Sequence, residues 1–243
     1  SRQDVDLLVR LDDKLQFIDL ANVLAHGNTV LLQTTMGAVA QTDQAIVNEA
    51  HQQGFIVPDK KFDKDTTQAA GAYVADPKRG MHKWIGSMDL NSLYPSIIRS
   101  CNMSTETIVG QVRHTFTRDL LDKAKTIPEA WEGRFATPEY ELVMDKDQAE
   151  VMHIDFEDGT SFEATGAEIY EIIFNSGQPW IISANGTIFT YEKKGIIPGL
   201  LERWYAERKE LQAKAVEARE EGGDKFAFWD KRQLVKKINL NSL

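Results

Sequence analysis

The chain is almost without cysteine, and it has no long apolar run. Its single cysteine, Cys101, excludes an internal disulfide and a cysteine-cluster zinc site. The apolar runs are far shorter than the ~20 residues that a membrane helix needs, and no segment resembles a signal peptide. These absences predict a soluble, cytoplasmic protein without a membrane partner. With 243 residues and 42% hydrophobic content, the chain can bury one or two domain cores.

A surplus of positive charge is also missing. The net charge of −9 argues against a module that coats nucleic acid, because such modules neutralise phosphates with surplus Lys and Arg. The charge is uneven along the chain. Residues 193–243 hold 12 Lys and Arg against 8 Asp and Glu, a net charge of +4, so residues 1–192 carry the remaining −13. A phosphate ligand is therefore expected at the basic end.

The spacing of apolar residues and turn formers predicts an α+β chain. Helices are predicted at 4–25, at 29–53 and from Pro95 onward, and strands at 71–74, 84–90, 180–182 and 188–190. A turn is expected at 77–80. Asp158-Gly159 and Asn185-Gly186 indicate further turns, and Asn-Gly is a strong hairpin signal.

An antiparallel helical hairpin is predicted after Pro198. Its first helix carries an apolar stripe up to Gly222-Gly223, namely Leu200, Leu201, Trp204, Tyr205, Leu211 and Ala215. The second helix begins with Asp224 as its cap and holds an apolar side, namely Phe228, Leu234, Val235 and Ile238.

Arg208 and Lys237 are equally far along the chain from the turn of this hairpin. Antiparallel packing therefore places the two cations level with each other, ~20 Å from the turn. Asn241 follows Lys237 by four residues and shares its face. The pair of cations can clamp a polyphosphate; the alternative is that Arg208, Lys236 and Lys237 only solvate helix faces.

Residues 88–98 place Asp89 at the end of a predicted strand, before a turn and a helix start. A carboxylate held in this way suits a magnesium ligand at ~2.0–2.1 Å, and the carbonyl of Leu90 can add a second oxygen. The backbone amides of Ser92, Leu93 and Tyr94 form an anion site where the turn enters the helix. The alternative for Asp89 alone is a turn former or a helix cap.

Two strings in this sequence resemble motifs of family B DNA polymerases. Asp-x-x-Ser-Leu-Tyr-Pro-Ser-Ile-Ile at 89–98 resembles the first polymerase motif, and Lys-x-x-x-Asn-Ser at 237–242 resembles the second. The sequence as a whole is most similar to replicative polymerases of T-even-like phages. The resemblance implies part of a palm, with a mixed sheet and helices, and a fingers hairpin.

The resemblance also implies roles for single residues. It assigns Asp89 and the Leu90 carbonyl to the magnesium ions, which manganese can replace. Ser92, Leu93 and Tyr94 hold the incoming triphosphate, and Tyr94 also acts as the gate that excludes a 2′-hydroxyl. Arg208 and Lys237 contact the triphosphate, and Asn241 lies near the nascent base pair.

The implied domains begin upstream of these motifs. Residues 1–25 are similar to the end of a 3′–5′ exonuclease domain, and 26–82 to a connecting segment. Residues 83–194 match the first part of the palm, and 195–243 match the fingers. Asp4 resembles the tail of an exonuclease motif and is a candidate metal ligand there; the alternative is a helix cap. Ala69-Ala70-Gly71-Ala72 keeps the Gly-Ala of the family's linker motif but lacks its tyrosine.

The implied function is addition of dNTPs to a primer 3′ end by two-metal nucleotidyl transfer. No Asp-Thr-Asp string, the third polymerase motif, is present. We therefore expect the chain alone not to extend primers. The expected partners are primer-template DNA, a dNTP, the remaining polymerase segments or a companion chain with the third motif and thumb, and a sliding clamp through downstream parts.

Three origins fit such a chain: a split-gene subunit, an intein-interrupted half or a cut piece. One rival function is a non-catalytic module that keeps the polymerase fold and assembles replication proteins. Another treats the chain mainly as the end of the exonuclease, and it depends on Asp4 alone.

Overall fold

The computed structural model describes residues 2–59, 76–113, 151–183, 185–220 and 225–242. The α-helices are α1 (Arg2–Leu15), α2 (Phe17–Asn28), α3 (Ala38–Gln52), α4 (Leu93–Ser100), α5 (Gly166–Tyr170), α6 (Ile196–Glu220) and α7 (Lys225–Ser242). The strands are β1 (Ile108–Arg113), β2 (Val151–Phe156), β3 (Ser161–Thr165), β4 (Trp180–Ile182) and β5 (Thr187–Thr190). Short 3₁₀-helices span Leu32–Met36 and Thr105–Thr107, and a π-turn spans Glu171–Asn175. This mixture confirms the predicted α+β class.

The described parts of the chain pack as two compact units. The first unit consists of residues 1–57, 92–100 and 195–243, and the second of residues 58–91 and 101–194. The domain limits implied by the family resemblance stay a prediction. Within the described ranges, no helix is both long and apolar enough to span a membrane.

The core of the first unit forms where α3, α6 and α7 meet. It holds Ala45, Leu200, Leu201, Trp204 and Leu240, all buried. Three of these side chains belong to the stripe predicted for the first helix of the hairpin, so that prediction is confirmed. Burying large apolar side chains of this kind stabilises a fold by about 1.5–3 kcal/mol each.

The predicted single helix over 4–25 is wrong, because the chain breaks between α1 and α2. Gln16 adopts the left-handed conformation with φ 53°. The Asp12 side chain accepts a hydrogen bond from the backbone N–H of Ile18 at 3.1 Å. A short acidic side chain that captures a backbone N–H competes with the helical ladder. No residue of α1 is buried.

The second predicted helix, 29–53, is correct only from α3 onward. A 3₁₀-helix occupies its first part, and Gly37 donates its N–H to the carbonyl of Thr34 at 3.0 Å. The Thr35 hydroxyl donates to the carbonyl of Leu32 at 2.6 Å. These local bonds to threonine and glycine favour a tight turn over a continuous α-helix.

The apolar side predicted for the second hairpin helix is also only partly correct. Val235 is buried, but Phe228 and Leu234 are exposed. The buried face of α7 carries Asn239 and Leu240 in addition to Val235. The buried face thus differs from the predicted one, because Asn239 is buried with a polar partner inside the unit. The predicted Asp224 cap and the Gly222-Gly223 turn lie outside the described residues.

The described residues of the second unit contain a five-stranded antiparallel sheet in the order β3-β2-β1-β5-β4. The predicted turn at Asp158-Gly159 connects β2 to β3, and the predicted hairpin at Asn185-Gly186 connects β4 to β5. Gly159 and Gly186 adopt positive φ angles of 84° and 89°, which glycine tolerates without strain. In the first turn the Asp158 carboxylate accepts bonds from the Thr160 hydroxyl and N–H, which lower the pKa of Asp158.

One face of this sheet is covered by α5 and the π-turn that follows it. The buried cluster between them consists of Val112, Met152, Ile154, Ile169, Ile173, Ile182 and Ile188. The central strand β1 passes close to β2 at Gly110. A Cβ atom on Gly110 would lie 2.7 Å from the carbonyl oxygen of Asp155, so only glycine fits there. The strand predicted at 71–74 lies outside the described residues.

A buried asparagine organises the chain before β1. The Asn102 amide donates to the carbonyls of Thr190 and Lys193 at 2.7 and 2.8 Å. The Thr107 hydroxyl donates to the Asn102 carbonyl at 2.6 Å. These bonds hold the segment after α4 against the end of β5, and they satisfy polar groups that would otherwise be buried without partners.

Candidate active site

The predicted strand over 84–90, which was to carry Asp89, is wrong. Residues 76–91 form neither helix nor strand, and all of them are exposed. Asp89 lies near the end of this segment and is open to solvent. Trp84 has φ 61°, in the left-handed region that a ladder does not accommodate. None of the described strands pairs with this segment, and a strand is stabilised only by a neighbour. Leu90, the other predicted metal ligand, is also exposed.

The predicted helix start near Pro95 is confirmed, and α4 begins two residues earlier, at Leu93. Ser92 precedes it with φ 52°, and its carbonyl accepts the N–H of Ser96 at 2.9 Å. Leu93 and Tyr94 therefore contribute the first backbone N–H groups of the helix, which have no intrahelical acceptor. Pro95, buried, has no N–H to contribute.

Helix α4 is anchored on α6 through its C-terminal half. Ile98 packs against the cluster that contains Leu200 and Trp204. The Arg99 guanidinium lies 5.1 Å from the ring centroid of Tyr205. Tyr94, one turn before Ile98 on α4, is 67% exposed. The ring predicted to act as the sugar gate is thus accessible to a ligand.

The antiparallel hairpin is confirmed by three contacts between α6 and α7. Glu207 pairs with Lys236 at 2.5 Å. The Lys214 ammonium lies 5.1 Å from the Trp229 ring centroid, and the Arg219 guanidinium lies 5.9 Å from that of Phe226. Each contact joins residues at nearly equal distances along the chain from the connection at 221–224.

The structure brings Arg208 to the face of α7 that carries Lys237. Arg208 is half-buried, and its Nε donates to the Gln233 side-chain carbonyl at 3.4 Å. Lys237 follows Gln233 by one helical turn, and Asn241 follows by one more, so the three share a face of α7. Lys237 and Asn241 are exposed. No described residue forms an ion pair with Lys237.

Neighbouring cations on the hairpin already have acidic partners. Lys236 pairs with Glu207, and Lys231 pairs with Asp19 of α2 at 3.1 Å. A surface cation that is compensated in this way attracts an additional anion less strongly. Among the described residues, Lys236 has an acidic partner and Lys237 has none, a difference that the sequence alone does not show.

The described residues do not fit a complete magnesium site. Within the described ranges, no three His, Cys, Asp or Glu side chains lie close enough together to hold a metal ion. Asp89 lies in the second unit, whereas α4, Arg208 and Lys237 lie in the first. Asp4 lies in the first turn of α1, a position that agrees with either a metal ligand or a favourable helix-start acid.

Sequence reasoning missed the polar residues that hold the hairpin in place. Asn28 of α2 donates to Asn239 of α7 at 3.0 Å and to Gln41 of α3 at 3.2 Å. The Gln41 amide in turn donates to the Thr35 carbonyl at 2.7 Å. The detectable signal is that Asn239 follows Val235 by four residues, which places it on the buried face.

Comparison with known proteins identifies the family of this chain. The sequence model of DNA polymerase family B matches residues 30–243. The chain belongs to this family, as the two motifs predicted.

Three relatives show how far the similarity extends. The DNA-directed DNA polymerase of Escherichia phage RB69 is 30% identical over 51% of this chain and 14% of its own length. That of Enterobacteria phage T4 is 33% identical over 45% of this chain and 12% of its own. The DNA polymerase of Paramecium bursaria Chlorella virus NY2A is 28% identical over 100% of this chain and 22% of its own. The chain thus spans less than a quarter of each of these relatives.

Proposed function

We propose that this chain supplies the nucleotide-gripping part of a DNA-directed DNA polymerase, which adds dNTPs to a primer 3′ end. The observation that carries the proposal is the position of Arg208 beside the face of α7 that holds Lys237. Arg208 is oriented by the neutral amide of Gln233, and Lys237 is exposed and has no acidic partner among the described residues. Such a pair suits a triphosphate, because guanidinium and ammonium groups form charge-assisted hydrogen bonds with phosphate oxygens.

The start of α4 is the second part of the proposed site. The N–H groups of Leu93 and Tyr94, with that of Ser92 beside them, form an anion-binding helix terminus. We assign them to the triphosphate, and we assign the exposed Tyr94 ring to the sugar. Asn241 is assigned to the nascent base pair. These roles follow the family motifs and agree with the exposure of each group.

Asp89, with the Leu90 carbonyl, is the contribution of this chain to a magnesium site. Magnesium is bound by oxygen ligands and, when present, neutralises the charge that develops on the transferred phosphoryl group. The printed sequence contains no Asp-Thr-Asp string. The proposal therefore includes that the chain alone does not extend primers. Extension of a labelled primer by the purified chain would refute this part.

The test of the proposed nucleotide site compares two adjacent lysines in the complete enzyme. Lys237→Ala removes an uncompensated cation, and Lys236→Ala removes one that Glu207 already pairs. We expect the dNTP Kd from single-turnover incorporation to rise about 10-fold for Lys237→Ala, the loss of one charge-assisted bond, and less than about 2-fold for Lys236→Ala. Equal effects would contradict the assignment.

The rival function, a polymerase-fold module that assembles replication proteins, predicts a different result. Such a module needs no dNTP contact. Under the proposal, dNTP incorporation by the complete enzyme is lost on Asp89→Ala and weakened on Lys237→Ala. If both variants retain full incorporation, the module interpretation replaces the polymerase one.

A further inference from the structure

Gln233 joins the two helices of the hairpin next to the proposed triphosphate contact. Its side-chain carbonyl accepts the N–H of Arg208 Nε at 3.4 Å, and its amide nitrogen donates to Asp230 Oδ1 at 3.0 Å. Asp230 precedes Gln233 by three residues on α7, so the second bond is formed within one helix. Arg208, Asp230 and Gln233 are all half-buried. The sequence motifs assign no role to Gln233 or Asp230.

The hydrogen-bonding groups of Asp230 and Arg208 fix the orientation of the Gln233 amide between them. A carboxylate accepts hydrogen bonds and does not donate them, and a guanidinium donates and does not accept. Asp230 therefore requires the NH₂ end of the Gln233 amide, and Arg208 requires the oxygen end. If the amide were turned the other way, its NH₂ group would face the donors of Arg208 and its oxygen would face the acceptor oxygens of Asp230. The two neighbours together specify one orientation of the Gln233 side chain.

The contact with Gln233 uses only Nε of Arg208. Among the described residues, no partner binds the two terminal nitrogens of the guanidinium. These nitrogens form the fork that matches phosphate oxygens. The bond at 3.4 Å is long, so it contributes orientation more than net stabilisation. A long side chain that is ordered before binding loses less conformational entropy when the ligand arrives.

A neutral acceptor orients Arg208 without cancelling its charge. The same hairpin shows the alternative, because Glu207 places a carboxylate on Lys236 at 2.5 Å. The Asp230 carboxylate accepts its bond from the Gln233 amide nitrogen and forms no ion pair with Arg208 among the described contacts. This difference explains why a glutamine, rather than a glutamate, suits the position.

We propose that Gln233 is the positioning residue for Arg208, holding its guanidinium with the terminal nitrogens free for the triphosphate of the incoming nucleotide. The inference rests on the proposed function, since it takes Arg208 as a triphosphate contact. It predicts that Gln233 acts through Arg208 and does not contact the ligand.

The experiment is a double-mutant cycle in the complete enzyme, with the dNTP Kd and the maximal incorporation rate measured by single-turnover kinetics. The variants are Arg208→Ala, Gln233→Ala, the double variant and Gln233→Glu. Gln44→Ala serves as the matched control, because it removes a glutamine-to-asparagine hydrogen bond, here to Asn48, on α3. Primer-template affinity is measured for each variant as a readout of general damage.

We expect Arg208→Ala to raise the dNTP Kd about 10-fold, the loss of one bond to a charged group. Gln233→Ala should raise it about 3-fold, the cost of ordering one long side chain, and should add nothing in the Arg208→Ala background. Gln233→Glu keeps the shape and an acceptor but compensates the cation, so it should raise the Kd more than Gln233→Ala. Gln44→Ala should leave the Kd unchanged.

Two results would overturn the inference while leaving the proposed site intact. One is an equal effect of Gln233→Ala with and without Arg208, and the other is an unchanged Kd in Gln233→Ala when Arg208→Ala shows its rise. A general structural role would lower primer-template affinity in Gln233→Ala and would also overturn it. If Arg208→Ala leaves the Kd unchanged, the triphosphate assignment of Arg208 fails, and the inference fails with it.

Discussion

Asn28 and Asn239 exchange two reciprocal side-chain hydrogen bonds, each at 3.0 Å, although 211 residues separate them in the sequence. Both side chains are buried, at 2% and 3% exposure. Each amide therefore offers one donor and one acceptor to the other, and neither group is left without a partner. The pair fixes α7 against α2 at a defined position, because a shift of either helix would leave polar groups unpaired.

Asn239→Ala is expected to weaken this attachment by about 1–3 kcal/mol, because the Asn28 side-chain oxygen loses its bond from Asn239 while the Asn28 nitrogen keeps only its bond to Gln41. Hydrogen exchange over α2 and α7 in the complete enzyme measures the loss of protection. Asn28→Ala should cost a similar amount, and the double variant should cost less than both together. Asn175→Ala, which removes an exposed bond to Glu171, is the control. Additive losses would contradict a direct bond.

Gly110→Ala is expected to disrupt the central strand of the sheet. The added Cβ would lie 2.7 Å from the Asp155 carbonyl oxygen, which is backbone and cannot rotate away. Overpacking of this kind costs about 1–3 kcal/mol. Faster hydrogen exchange in β1 and β2 measures the effect. Gly86→Ala is the matched control, since a Cβ there meets no atom within 4 Å; equal exchange in both variants would contradict the prediction.

The bond between Glu49 of α3 and Arg203 of α6, at 2.7 Å, is expected to depend on pH. Burial alone would raise the pKa of Glu49, but hydrogen bonds from Arg203 and Gln53 and the charge of Arg203 together lower it. A carboxyl group with a lowered pKa stabilises the fold above its unfolded pKa of ~4.3 and loses this contribution as pH falls through the folded value.

Glu49→Gln should therefore reduce the protection of α3 at pH 7, by about 0.5–1 kcal/mol, and should make no difference below the lowered pKa. Hydrogen exchange at several pH values, corrected for intrinsic rates, measures this. Glu210→Gln, an exposed change on α6, is the control. A loss of protection that persists unchanged to pH 3 would show that the charge of Glu49 is not responsible.

Tyr94→Ala is expected to admit ribonucleotides, on the proposal that its exposed ring lies under the sugar. Without the ring, space opens for the 2′-hydroxyl that separates RNA from DNA precursors. The measurement is the ratio of kcat/KM for dNTP and rNTP incorporation by the complete enzyme. Tyr94→Phe keeps the ring and should keep the discrimination. An unchanged ratio in Tyr94→Ala would remove the gate from the proposal.

Local chemistry explains which parts of the fold could be predicted. Asn185-Gly186 specifies its hairpin because glycine accepts a positive φ angle, and the stripe of Leu200, Leu201 and Trp204 specifies a buried helix face. The break at Gln16 was missed because the Asp12 side chain decides it. The strand at 84–90 was wrong because a strand depends on a neighbour, which its own residues do not provide.

The candidate site divides in the same way. The first-turn amides of Leu93 and Tyr94 follow from a helix start that Pro95 marks in the sequence. Arg208 and Lys237 are predicted to lie at the same height along the antiparallel hairpin, because they are equally far along the chain from its turn. The contact of Arg208 with Gln233 depends on how far each helix is rotated, and that rotation is set by packing and by the burial of Asn239.

The interleaving of the two units has a consequence for synthesis on the ribosome. The five described strands of the sheet lie between residues 108 and 190, so these strands can all pair once Thr190 has emerged. The core of the first unit joins Ala45 to Leu240 and must wait for the last turns of α7. At about 5–20 residues per second, those 50 further residues take roughly 3–10 s. The helices made first are thus exposed to chaperones and proteases for longer than the sheet made after them.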